Sequence, residues 1–218
     1  MILTLPDFFA VGAVIFAIFM SGTIQLRTNL LLYAVQTFLV GIVTAAFYIA
    51  SHENHYLYLS LAIILVKSGG ISLFLAWVLR RINVFRDGAT YLPIPIAMHI
   101  CILMLGIAHF LADKLPPPPD QSTMLQVGSA ESGIALVLIG TLFMLTRKTA
   151  ISQIIGFLTM ANGIYLFTLA QAHGMPMAVE LGILLDVLVG VMVAGVITFR
   201  IQKSFEHIDV TRLTDLRD

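Results

Sequence analysis

The fold class this sequence predicts is an all-α integral membrane protein of about seven transmembrane helices, and three observations predict it. Hydrophobic residues make up 59% of the chain and charged residues only 11%, against roughly 45–50% and about 25% in soluble domains. Mean hydropathy is +0.96. The apolar residues gather into runs, most of them near the ~20 residues that a helix needs to cross a bilayer. Formal net charge is zero, so charge gives no reason to expect a nucleic-acid partner. The single cysteine, Cys101, excludes an intrachain disulfide and any multi-cysteine metal or cluster site. It lies in an apolar run and reads as a small core residue. The opening MILTLPDFF has no basic segment and carries Asp7, so a cleaved signal peptide is not expected.

Taken in order, the spans fall near residues 7–26, 29–51, 56–79, 92–112, 132–146, 150–172 and 177–200. The fifth is short, and a start around Gln126 would lengthen it. Polar or rigid connections separate them: SHENH at 51–55, RRINVFRDGA at 80–89 and KLPPPPDQS at 114–122. Pro176 suits the first turn of the last helix, where its missing N–H leaves no bond unmade.

The basic residues set the topology. Arg27, Arg80, Arg81, Arg86, Arg147, Lys148, Arg200, Lys203, Arg212 and Arg217 fall on one side of this arrangement. The other side holds Lys114 beside Asp7, Glu53, Asp113, Asp120 and Glu131. By the positive-inside rule the N-terminus is outside and the C-terminus cytoplasmic.

A weak internal repeat is also visible. Gly22-Thr23 before Arg27 pairs with Gly140-Thr141 before Arg147, Gln36 and Tyr48 with Gln153 and Tyr165, and Lys67 with Asp186. Helices 1–3 would then mirror helices 5–7 as a parallel repeat of the kind found in transporters. The organisation expected is one membrane domain over 1–218. It comprises a first helical triplet (1–90), a connector helix with a Pro-rich loop (91–131), a second triplet (132–203) and a cytoplasmic tail (204–218).

Lys67 and Asp186 stand out for chemistry, each near the middle of an apolar span. A charge at the bilayer centre costs roughly 2.5–3.5 kcal/mol on insertion scales, and such residues mark ion or proton pathways by default. Lys67 precedes Ser68-Gly69-Gly70, a run that favours a kink or local unwinding. Its alternatives are burial with a function or partner and snorkelling to the interface. Asp186 sits between Gly182 and Gly190, on a stripe that lets another helix approach closely. Either it carries protons or its hydrogen bond only fixes packing. Glu180, in the first turn of the last span, is either a favourable dipole partner or the outer end of a polar path. On the fourth span, His99 is a relay candidate or a structural histidine. His99 and His109 are too far apart to bind one metal. Asn162, in MANG, is deep enough to bond across helices or hold water. No phosphate loop, GxGxxG, HExxH or Ser/His/Asp arrangement is present, so no catalytic residue, cofactor or metal site is assigned.

The stretch TRKTAISQIIGFLTMANGIYLFTLAQAHGMPMAVELGILLDVLVGV and the tail HIDVTRLTDLRD resemble hydrogenase-4 component E, from the membrane arm of formate hydrogenlyase-type hydrogenase complexes. Lys67 in its VKSGG setting looks similar as well. The last three spans also look like subunit K of NADH–quinone oxidoreductase and like its small three-helix counterpart in Mrp-type sodium/proton antiporters. The resemblance implies a non-catalytic subunit of a bacterial or archaeal cytoplasmic membrane. It would line a proton or sodium path beside antiporter-like membrane subunits and a hydrogenase module, with Lys67, Asp186 and Glu180 on family ionisable positions. One departure matters. The family commonly has glutamate at Ala161, and the subunit K glutamate falls at Leu158. Either water held by Asn162 substitutes, or the path is interrupted. Two rivals remain from residues alone: an Mrp-type antiporter subunit, and a scaffold whose buried polar groups only specify packing.

Overall fold

A computed structural model describes residues 5–82, 86, 87, 90–115, 126–171 and 190. The elements are α1 (Leu5–Ser21), α2 (Leu26–Ser51), α3 (Asn54–Ala62), a π-helix (Ile63–Ile71), α4 (Ser72–Ile82), α5 (Ile94–Ala112), α6 (Gln126–Thr146) and α7 (Ala150–Gln171). α3, the π-helix and α4 follow without a break, so together they form the third span. Among the described residues, five stretches are long and apolar enough to cross a membrane: Leu26–Ile49, Asn54–Arg80, Ile94–Ala112, Gly128–Thr146 and Ala150–Gln171. α1 is apolar but shorter, at 17 residues. Among the described residues all regular structure is helical, and the chain is a multi-pass membrane protein. The seventh expected span, 177–200, lies outside the described residues except for residue 190.

The boundaries have local causes. α1 ends at Ser21, five residues before the expected 26, because residues 22–25 leave the helix to meet another loop. α2 stops at His52, whose left-handed backbone (φ 55°) lets its N–H reach the Tyr48 carbonyl at 2.8 Å. That is the usual αL way of ending a helix. α5 starts just after Pro93 and carries Pro95 in its first turn. α6 starts at Gln126, the longer of the two options.

Apolar side chains line the outside. Phe8, Val11, Ile15 and Phe19 form an exposed stripe along α1, and Ile102, Leu103, Ile107 and Phe110 do the same on α5. Exposed apolar stripes of this kind mark membrane or protein interaction surfaces and suit a hydrocarbon solvent.

Small residues bring the helices together. A methyl group added at Gly133 would lie 2.6 Å from the Phe167 backbone nitrogen, and one at Gly163 2.6 Å from that of Val137. Gly140 faces the Met160 nitrogen, also at 2.6 Å, and Gly156 faces Met144. α6 and α7 therefore touch backbone to backbone at two levels, as small-residue stripes permit in membranes.

Three connections meet at one end of the bundle. Gln25 pairs with Arg86, and Thr90 with Arg147, as isolated antiparallel bridges. The Asp87 N–H donates to the Ile24 carbonyl at 2.9 Å. Arg86 and Arg147 lie in two of these connections and Arg27 in the first turn of α2 just after the third, so these residues of the basic group share an end of the bundle. α1 and α6 run parallel: Asp7 lies over Gly128 at their starts, and Arg147 reaches the end of α1. The residue pairing of the internal repeat does not carry over. Gly22 lies in a turn while Gly140 is inside α6, and Gln36 is buried in mid-helix while Gln153 is exposed in the first turn of α7. The helix starts of the two halves do not match that register.

Candidate functional site

Two apolar clusters fill the interior. One contains Ala10, Val14, Val40, Val43, Ile63 and Tyr165. The other contains Met20, Tyr33, Leu75, Phe143, Ile155 and Leu158. Of the spans that pass from one cluster to the other, three place buried polar residues at the crossing. On α2, Gln36 and Thr37 lie between Tyr33 and Val40. On α7, Thr159 and Asn162 lie between Leu158 and Tyr165. On the third span, Lys67 lies between Ile63 and Leu75. All five are buried, with Lys67 4% exposed and Asn162 0%.

Hydrogen bonds fix the register. Ser60 donates to the Gly41 carbonyl and Ser68 to the Ala34 carbonyl, both at 2.9 Å. Residues 60–68 thus run antiparallel along 34–41, which sets Lys67 at the level of Gln36 and Thr37. Across the other face of α2, Asn162 Nδ2 donates to Thr37 Oγ1 at 2.8 Å. The Thr159 hydroxyl donates to the Ile155 carbonyl at 2.9 Å and lies 3.5 Å from Gln36 Oε1. Further along, the Thr44 hydroxyl donates to the Val40 carbonyl at 3.0 Å, leaving the Tyr165 hydroxyl, 3.2 Å away, as the donor to Thr44.

Lys67 occupies the middle of the nine-residue π-helix. The expected disturbance at Ser68-Gly69-Gly70 is therefore a widened helix, with its hydrogen-bonded path continued. Short π segments occur frequently at functional sites. Glycine has no side chain to oppose the wider turn.

The layer can hold one ionisable amine among neutral amides and hydroxyls. Gln36 Nε2 and Asn162 Oδ1 are buried with no hydrogen-bond partner among the described residues. One is a donor and the other an acceptor, the chemistry a water molecule satisfies. Leu158 and Ala161, 0% and 3% exposed, pack as core residues. Neutral groups can orient water but cannot store a charge, so within the described layer that capacity belongs to Lys67.

Lys67 and Asn162 are thus brought to one level. His99 is not: it is exposed on α5, and its Nδ1–H donates to the Pro95 carbonyl of its own helix at 2.6 Å. Asp186 and Glu180 lie outside the described residues. Sequence reasoning overlooked Gln36, Thr37 and Thr159 as site residues, although polar side chains in mid-span were the available signal. It also read Arg147 and Asp87 as loop residues only, and both are buried.

Comparisons with known proteins give one family match in the C-terminal part and one relative over nearly the whole chain. Residues 131–218 match the family model of NADH-ubiquinone/plastoquinone oxidoreductase chain 4L, a stretch that includes Thr159 and Asn162. Over 216 residues the chain is 28% identical to an uncharacterized protein of Mycobacterium tuberculosis, covering 98% of this chain and 96% of that relative. No solved structure matches.

Proposed function

We propose that this chain is a non-catalytic membrane subunit of a respiratory complex of the hydrogenase-4 or formate-hydrogenlyase type, contributing to the proton or sodium path of its membrane arm. The observation that carries this reading is the burial of Lys67, within a π-helix, at the level of the polar residues of α2 and α7. The match of residues 131–218 to the chain 4L family supports a place in a respiratory membrane arm. Cofactor-bearing subunits are separate chains in this scheme. Asp186 and Glu180 supply the carboxylates of the path, Lys67 the amine, and Asn162 with Gln36 the water-binding amides. His99 is left out, because it faces away from the bundle interior.

The scaffold reading draws on one specific observation, the Asn162–Thr37 bond, which joins two helices whether or not ions pass. The test uses the assembled complex in sealed vesicles. Lys67→Met and Asp186→Asn are each expected to reduce coupled ion movement while dye-linked hydrogenase activity stays near wild type. Unchanged ion movement in both variants rejects the relay. Loss of assembly with no separable effect on ion movement supports the scaffold.

A further inference from the structure

We infer that the buried seam between α2 and α7 is a water-lined proton route that opens Lys67 to the basic end of the bundle and is closed toward the opposite end. The inference rests on the reading of Lys67 as an ion-carrying residue, and it adds the side from which that residue is served.

α2 and α7 both start at the basic end, and the contacts Gln36–Thr159, Asn162–Thr37 and Thr44–Tyr165 hold them in parallel register. From the level of Lys67 toward its start, α2 places Tyr33 and then Asn29 at successive turns, about 5 Å apart along the axis. Both are 0% exposed. α7 contributes Ser152, also fully buried, whose hydroxyl donates to Asp87. Asn29 Nδ2 donates to the Thr23 carbonyl at 3.2 Å, the same oxygen that Arg147 Nη2 reaches. The seam therefore ends on the buried residues Asp87 and Arg147. Their chain neighbours Arg86 and Lys148 are exposed, so solvent begins one residue away.

Unsatisfied polar atoms mark where water is needed. Asn29 Oδ1 and Asp87 Oδ1 are buried acceptors, and Gln36 Nε2 a buried donor, with no hydrogen-bond partner among the described residues. Buried water bridges groups of this kind, and the Tyr33 hydroxyl between them can both donate and accept. Toward the opposite end the chemistry is closed. The Tyr165 hydroxyl donates to Thr44, which donates to the Val40 carbonyl, and Val40 and Val43 are 1% and 0% exposed. That chain stops on backbone. A proton taken from solvent at the basic end passes from water to water along the seam until the Lys67 amine binds it. Only O–H and N–H bonds are made and broken on the way.

The test is silver-ion accessibility in sealed vesicles holding the full-length protein, with Cys101→Ser as background. Silver ions are small enough to follow water, and they block a cysteine against later maleimide labelling. Arg86→Cys and Glu53→Cys, exposed at the two ends, report which end faces the added silver. Thr37→Cys, close in volume to the native residue, is expected to react about tenfold faster from the Arg86 end than from the Glu53 end, because an apolar approach disfavours a hydrated ion. Asn29→Leu is expected to slow that reaction about tenfold for the same reason. Thr44→Cys is expected to stay unreactive from the Arg86 end. If Thr37→Cys fails to fold, Thr159→Cys at the same level decides. Equal reaction of Thr37→Cys from both ends overturns the inference, as does no reaction from either. A rate untouched by Asn29→Leu, or Thr44→Cys reacting from the Arg86 end, overturns it too. The two readings fail separately. No silver reaction while Lys67→Met still impairs ion movement strikes the seam alone. Side-specific reaction with Lys67→Met harmless strikes the relay and leaves the seam without a proton to deliver.

Discussion

Arg147 and Asp87 form a buried ion pair, with Nη1 3.6 Å from Oδ2 and side chains 2% and 0% exposed. The Ser152 hydroxyl donates to the same carboxylate oxygen at 2.7 Å. Arg147 Nη2 donates to the Ser21 and Thr23 carbonyls at 3.1 and 2.8 Å and approaches that of Met20 at 3.4 Å. It thereby adds a donor to carbonyls at and just beyond the end of α1, where the last turn runs short of intrahelical partners and the helix dipole favours a cation. Its guanidinium also lies 4.8 Å from the centroid of the Phe143 ring. Burial pulls the Arg147 pKa below its ordinary value, while the Asp87 carboxylate works in the opposite direction. One pair thus ties together the α1–α2 turn, the α4–α5 connection and the α6–α7 turn.

Removing either partner leaves an uncompensated buried charge, so Asp87→Ala and Arg147→Ala should each lose about 3–5 kcal/mol. The measurement is the unfolding transition of the purified protein in detergent. Replacing both charges, as in Asp87→Leu with Arg147→Met, should recover only part of that loss. The reason is specific: the Ser21 carbonyl would still lack its Arg147 donor, and that of Thr23 would keep only the Asn29 side-chain amide at 3.2 Å.

The glycines of α6 and α7 make a sharper prediction because the distances are so short. Gly133→Ala, Gly140→Ala and Gly163→Ala each place a methyl 2.6 Å from backbone nitrogen, and backbone cannot rotate aside as a side chain can. Each should cost about 1–3 kcal/mol as the helices are forced apart. Gly106→Ala in α5 is the control, since nothing lies within 4 Å of the added methyl. It should be neutral or stabilising by up to ~1 kcal/mol, through helix propensity. Equal thermal shifts for Gly106→Ala and Gly133→Ala would contradict the close contact.

The Asn162–Thr37 bond should show a modest coupling energy. A double-mutant cycle with Asn162→Leu and Thr37→Val is expected to give about 0.6 kcal/mol, with ~1.7 kcal/mol as the ceiling for such bonds in membrane helices. A cycle within error of zero would show that the bond contributes nothing to packing.

Much of the fold was legible because the bilayer imposes a length and a polarity on each span. The runs at 29–51, 92–112 and 150–172 correspond closely to α2, α5 and α7. The sidedness of the basic loops agrees with the meeting of residues 22–25, 86–87 and 147. The end of α1 falls five residues short of the apolar run, since Ile24 and Leu26 continue the run although the chain turns to pair Gln25 with Arg86. The repeat register misled for a related reason: isolated matches among apolar residues carry little information about helix phase. The candidate site was half legible. Lys67 and Asn162 announced themselves by their cost in lipid, but Gln36, Thr37 and Thr159 did not, because neutral polar residues are common in spans and their significance depends on what they face.

By itself, the sequence determined that this is a multi-pass helical membrane protein, where most described spans run, and that two ionisable residues, Lys67 and Asp186, fall in the middle of apolar runs. Hydrophobic transfer is a local property, summed along one segment, so it can be read without knowing the neighbours. The tertiary structure alone decided that Lys67 shares a level with Gln36, Thr37 and Asn162, that Gly133 meets Gly163 across α6 and α7, and that Arg147 is buried with Asp87. Those relationships join residues far apart in the chain, and they depend on helix register and close packing, which no single span encodes.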